Sequence, residues 1–186
     1  MKFMIYLATA ISLAFASWAI FTYNRLVRLR NQVRAGWADI DVQLTRRHDL
    51  IPQLVESVRG YARHESSTLE EVTALRTRAV AMSRPGQLAE IEQALEHRIG
   101  KLLALYESYP ELKASELFLQ LQRDLVDVEE HLQYARRFYN GAVRQLNDGI
   151  QRFPDVLMAR TTGFSEAEFY AADAGDRAAP RLDLSP

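Results

Sequence analysis

The first feature of the chain is 21 consecutive positions without a charge, FMIYLATAISLAFASWAIFTY at 3–23. At about 1.5 Å of helical rise per residue this run reaches roughly 31 Å, the thickness of a bilayer hydrocarbon core. Tyr6, Trp18 and Tyr23 stand towards its two ends, where amphipathic rings favour the membrane interface. A cleaved signal peptide is the competing reading: Lys2 supplies a minimal basic start, and Ala14-Phe15-Ala16 has the small-x-small form of a cleavage site. The apolar run continues past Ala16 through Trp18, Ala19, Ile20 and Phe21, which favours an uncleaved transmembrane helix with Phe3 and Tyr23 as its ends.

Beyond the span the pattern turns amphipathic. Leu26, Leu29, Val33, Trp37, Ile40 and Leu44 recur at helical spacing, and Ile51, Val55, Val58, Leu69 and Val72 mark a second stretch that ends near SRPG at 83–86. Pro52 lies between them. Asp49 is placed to N-cap a new helix with proline in its first turn, so a break is expected here. A single kinked helix is the alternative, because the apolar phase hardly slips across Pro52. Leu88, Ile91, Leu95, Ile99, Leu102 and Tyr106 predict a third helix closed by Tyr109-Pro110. Ser115 is a plausible N-cap for the last, whose apolar positions from Leu121 to Leu146 alternate steps of four and three like a bundle seam, and which Pro154 ends. Strand-like alternation is absent from the sequence. The predicted class is all-α: one N-terminal transmembrane helix, then an antiparallel bundle of long helices, four in number or three with a kinked first helix. The expected divisions are 1–23 for the external N-terminus and span, 24–164 for the bundle, and 165–186 for an acidic, partly disordered tail, with Phe164, Phe169 and Tyr170 docking on the bundle first.

Charge adds an orientation. Arg25, Arg28, Arg30 and Arg34 follow the span with no acidic residue among them, whereas the other flank offers only Lys2 and the α-amino group. The positive-inside bias places the body in the cytoplasm and the N-terminus outside. The collar reads first as this topology signal on a solvated helix face, with some attraction to anionic headgroups besides. Over all 186 residues the formal net charge is -1, which provides no drive towards nucleic acid. The chain has no cysteine, which excludes disulfides, thiolate metal sites and thiol catalysis.

Site chemistry is sparse. A di-iron bundle needs Glu-x-x-His on two helices, but His48, His64, His97 and His131 are preceded three residues earlier by Thr45, Tyr61, Ala94 and Val128. His64-Glu65 lacks the second histidine of a zinc helix, and no phosphate-cradling glycine loop or nucleophile elbow is present. Asp39, Asp41, Glu65, Glu70 and Glu71 read as solvated helix faces. No catalytic, metal or cofactor site is expected. Two features are less ordinary. Asn24 and Asn31 lie seven residues apart, as do Asn140 and Asn147; in an antiparallel pairing Asn24 would approach Asn147 and Asn31 would approach Asn140, fixing register at the seam. The alternative is plain surface polarity. The run Arg46-Arg47-His48-Asp49-Leu50-Ile51-Pro52 suits a helix junction held by a local ion pair, with a partner-binding patch as the second reading.

These residues also carry a resemblance. YNRLVRLRNQVRAGWADIDVQLTRRHDLIPQLVESVRGYARHE at 23–65 resembles the signature of the LemA family, and YPELKASELFLQLQRDLVDVEEHLQYARRFYNGAVRQLNDGIQRFP at 109–154 resembles its C-terminal half. The likeness extends from Phe3 to Tyr170. It implies a short external N-terminus, one membrane helix, a soluble up-and-down bundle, and no established activity; some members are linked to magnetosome membranes. The positions carried over are Tyr23, Asn24, Asn31, Trp37, Arg47, Asp49, Leu50, Ile51, Pro52, Tyr61, His64 and Glu65, then Tyr109, Pro110, Arg136, Tyr139, Asn140, Asn147, Phe153 and Pro154. Leu146 departs from the pattern, which usually has tyrosine before its second asparagine.

The expectation is therefore a single-pass scaffold or interaction protein of the bacterial cytoplasmic membrane, not an enzyme, whose partners are the bilayer and an unidentified protein. The alternatives are a regulatory subunit of a membrane enzyme and a membrane-organising protein. Export after cleavage near Ala16 is the alternative localisation. The sequence leaves the oligomeric state open.

Overall fold

A computed structural model describes residues 1–61 and 66–170. It is predominantly helical, with no strand among the described residues. In chain order the helices are α1 (Lys2–Arg59), α2 (Ser66–Val80), α3 (Pro85–Ala104), α4 (Pro110–Lys113), α5 (Glu116–Gln151) and α6 (Asp155–Thr161). A 3-10 turn, Leu105–Glu107, follows α3 where the third stripe was expected to run on to Tyr106. Ser115 caps α5 as its side chain suggests: Phe118 N donates to Ser115 Oγ at 3.3 Å.

The expected break at Pro52 does not occur. Pro52 lies inside α1, and Asp49 is a mid-helix residue, not an N-cap. The ring of Pro52 removes the N–H that would bond the carbonyl of His48 one turn earlier, a loss that with ring strain costs about 3 kcal/mol in a helix interior. Arg76 of α2 replaces that donor, its Nε lying 2.7 Å from His48 O. The orphaned carbonyl is thus satisfied from outside, and the helix continues for two more turns. The second apolar stretch is instead divided after Arg59: Ile51, Val55 and Val58 belong to α1, whereas Leu69 and Val72 belong to α2.

The chain separates into two compact units. The first comprises Met1–Asp39 and Arg137–Ala167. Here Leu26, Leu29 and Val33 of α1 and Ala142, Val143, Leu146 and Ile150 of α5 are buried. Two glycines mark close approach between the helices. A Cβ on Gly36 would lie 3.1 Å from the Tyr139 backbone, and one on Gly149 would lie 3.1 Å from Leu29. Leu146, the departure from the family pattern, is itself buried in this core.

The second unit comprises Ile40–Arg136 and, among the described residues of the tail, Glu168, Phe169 and Tyr170. Its core draws Ile51, Leu54 and Val58 from α1, Val72 from α2, Leu95 and Leu102 from α3, Leu112 from α4, and Phe118 and Leu125 from α5.

Among the described residues, none buries the start of α1. Among the described residues α1 is the one helix long and apolar enough to cross a membrane, and none of its most apolar 18-residue window is buried. Phe3, Phe15 and Phe21 are 76%, 65% and 69% exposed.

Candidate functional site

The most unusual chemistry in the protein is a buried set of charges in the second unit. Arg47 and His48 of α1 and Glu92 of α3 are 3%, 7% and 0% exposed. One guanidinium nitrogen of Arg47 donates to Glu92 Oε2 at 3.1 Å, and the other forms an ion pair with Glu129 of α5. His48 Nε2 lies 2.6 Å from Glu92 Oε1, so one carboxylate is shared by both neighbours. Arg136 of α5 lies 3.7 Å from Glu129 Oε1 and 3.8 Å from Glu96 Oε2. It also stands over the buried ring of Tyr170, 5.2 Å from the centroid. A chain of polar and ionic contacts thus runs from His48 through Glu92, Arg47 and Glu129 to Arg136, which covers the ring of Tyr170.

Burial acts on two members of this set. Desolvation pulls the pKa of Arg47 below the ordinary guanidinium value, opposed by the charge of Glu92. Desolvation likewise pushes the Tyr170 phenol above its usual range, against the charge of Arg136. Two arginines face two buried or half-buried carboxylates, Glu92 and Glu129, so the inner charges cancel. Such a cluster adds little net stability, because desolvation consumes most of the Coulombic gain. It does penalise mispacking strongly: any helix register that separates Arg47 from Glu92 leaves an uncompensated charge in the core. Of three hollows in the surface, one borders this set at Glu96 and the other two are lined by other residues. No group of His, Asp and Glu placed to hold a metal occurs among the described residues.

Sequence reading singled out Arg47 and Arg136 but missed Glu92 and Glu129. The signal was present. Arg47 stands at the seam step between Leu44 and Ile51, and Glu92 at the step between Leu88 and Leu95. The run Arg46–Pro52 is correspondingly not a helix junction. It is helix interior, with Arg46 reaching outward to Asp127 at 2.8 Å. His64 and Glu65 lie outside the described residues; Tyr61 is exposed, and Tyr109 packs half-buried against the second core.

The first unit contains the other motif positions. Trp37 and Tyr139, one from each sequence motif, meet with ring centroids 5.5 Å apart. The asparagine pairs do not face each other inside a seam. Asn24 and Asn31 are exposed on α1. Asn147 instead clamps the tail backbone, donating to Ala167 O at 3.0 Å and accepting from Ala167 N at 2.9 Å; Asn140 is half-buried. The two bonds to the tail backbone satisfy both a donor and the acceptor of the Asn147 amide. Phe153 is exposed, and Pro154 precedes α6.

The basic collar is divided in role. Arg25 pairs with the buried Asp155 of α6 at 2.7 Å, which also accepts from Thr22 at 3.4 Å. Arg30 lies over the ring of Phe164, 4.9 Å from its centroid, and Tyr23 meets the same ring edge-on at 6.0 Å. Gly163, at φ 73°, closes α6 so that Phe164 N reaches back to Ala159 O, and this turn delivers Phe164 to the two side chains. Arg28 and Arg34 are exposed.

The family model described as the LemA family matches residues 36–184, four-fifths of the chain. The chain belongs to the LemA family. Among its curated relatives, Magnetosome protein MamQ 2 of Paramagnetospirillum magneticum is 24% identical over 183 residues, covering 84% of this chain and 67% of the relative. Magnetosome protein MamQ of Magnetospirillum gryphiswaldense is 24% identical over 190 residues, 88% of this chain and 70% of its own. Protein LemA of Metamycoplasma hominis is 28% identical over 134 residues, 70% and 60%. None of these names specifies a reaction. Within this LemA-family chain, the matched region begins at Gly36, so it includes the charge cluster and excludes the apolar start of α1.

Proposed function

We propose that this LemA-family protein is a single-pass membrane protein whose span is 3–23 and whose helical body, on the cytoplasmic side, is a non-catalytic scaffold for a protein partner. The observation that carries the reading is the unburied apolar start of α1. A side chain the size of leucine or phenylalanine gains about 1.5–3 kcal/mol when removed from water, and this segment presents many of them to solvent. A bilayer supplies the missing burial. The arginine collar on the body side supports the orientation. The buried charges support a scaffold, because they lie within the packed body and pair with one another.

Carbonate extraction of bacterial membranes, with a reporter fused after Pro186, tests this directly. The full chain is expected to stay in the membrane pellet, with the reporter active in the cytoplasm. A mature N-terminus at Ser17, or a reporter active outside, would reject it.

A further inference from the structure

The corner between α5 and α6 is tied to the last turn of the apolar segment. Asp155 is 6% exposed and holds both Thr22 and Arg25, the residues on either side of the span's end at Tyr23. Whatever depth Tyr23 occupies, this corner therefore occupies nearly the same. Two large apolar side chains flank Asp155 and face outward: Phe153 is 77% exposed and Leu157 is 53% exposed. Both would be costly in water and both suit the boundary between acyl chains and headgroups.

Beside the corner lies a hollow of about 500 Å³, lined among others by Arg28, Gln32, Gln145, Asp148 and Arg152. Arg28 follows Tyr23 by five residues, about 7–8 Å along a helix, which is the depth of the headgroup layer. Arg25 is neutralised by Asp155. The two remaining arginines against Asp148 leave one net positive charge, matching a phosphodiester, and guanidinium forks with glutamine amides suit its oxygens.

We infer that the α5–α6 corner is a second membrane contact: Phe153 and Leu157 enter the interface beside the span, and the hollow bearing Arg28 and Arg152 takes the phosphate of an anionic phospholipid. This rests on the anchored reading above. It adds that the first unit is held against the bilayer at two points rather than swinging on one helix.

Because the chain has no cysteine, single cysteines can be placed and spin-labelled without background. Full-length Ser12→Cys, Phe153→Cys, Leu157→Cys and Leu117→Cys variants in vesicles of equal parts phosphatidylcholine and phosphatidylglycerol would be compared for access to oxygen and to a water-soluble nickel relaxant. Ser12 should report the bilayer interior, Phe153 and Leu157 a shallow interfacial depth, and Leu117 water. Labels at 153 and 157 as water-exposed as that at 117, with the label at 12 deep, would overturn this inference and leave the anchor standing. A water-exposed label at 12 would overturn both. For the hollow, native mass spectrometry of the full chain released from detergent should retain a phosphatidylglycerol that Arg28→Gln with Arg152→Gln loses. Equal retention by the double variant would reject the phosphate site. Displacement by excess inorganic phosphate would assign the hollow to the free ion and reject the lipid.

Discussion

A proline inside a long helix orphans one carbonyl, and here that carbonyl is His48 O, bonded instead by Arg76. Replacing Arg76 with methionine keeps much of the side-chain volume but removes the donor. Arg76→Met should cost about 1–3 kcal/mol, the usual penalty for a stranded buried acceptor. In a Pro52→Ala background the cost should fall well below that, because the restored N–H at position 52 bonds the same carbonyl. A urea double-mutant cycle measures the difference. Equal costs in both backgrounds would show that Arg76 acts only through its charge. The proline was visible in the sequence; its remedy, 24 residues further along the chain and on another helix, had no local signature.

At the scale of elements, stripe geometry carried most of the information. Leu132 lies in the α5 stripe and is fully buried, whereas Leu117 on the same helix is 57% exposed. Leu132→Ala should therefore cost about 2–5 kcal/mol through lost transfer energy and a cavity. Leu117→Ala should stay within about 0.5 kcal/mol. Comparable urea midpoints for the two variants would contradict the assigned facing of α5. The stripe did not reveal where α1 ends, since a helical phase that survives a proline can belong to one helix or two. Nor did it reveal the glycines at 36 and 149 as close-approach points: either is compatible with a helix interior, and only the neighbouring backbone or side chain gives it a reason.

At the scale of the molecule, Tyr170 links the stability of the second unit to alkaline pH. Burial raises its pKa above the unfolded value near 10, so the folded state holds the proton more tightly. Its contribution is complete below about pH 10 and is lost as pH rises through the folded value, because only the unfolded chain ionises freely. Urea midpoints between pH 8 and 11 should consequently fall more steeply for the native chain than for Tyr170→Phe. Parallel declines would mean that the phenol is no more buried folded than unfolded.

The helical class, the apolar N-terminal segment and the faces of the main stripes were determined by the sequence itself, because each depends on neighbours within a few turns. The charge at Arg47 and the one at Glu92 were both legible as residues out of place in apolar registers. Their pairing was not, since a cation and an anion 45 positions apart carry no spacing rule that joins them. The same reason explains Asn147. Its seven-residue relation to Asn140 is a property of one helix, while its partner Ala167 was selected by the path of the tail. Tertiary structure decided which polar groups meet because burial removes water as the alternative partner, and then only packing across helices determines who replaces it.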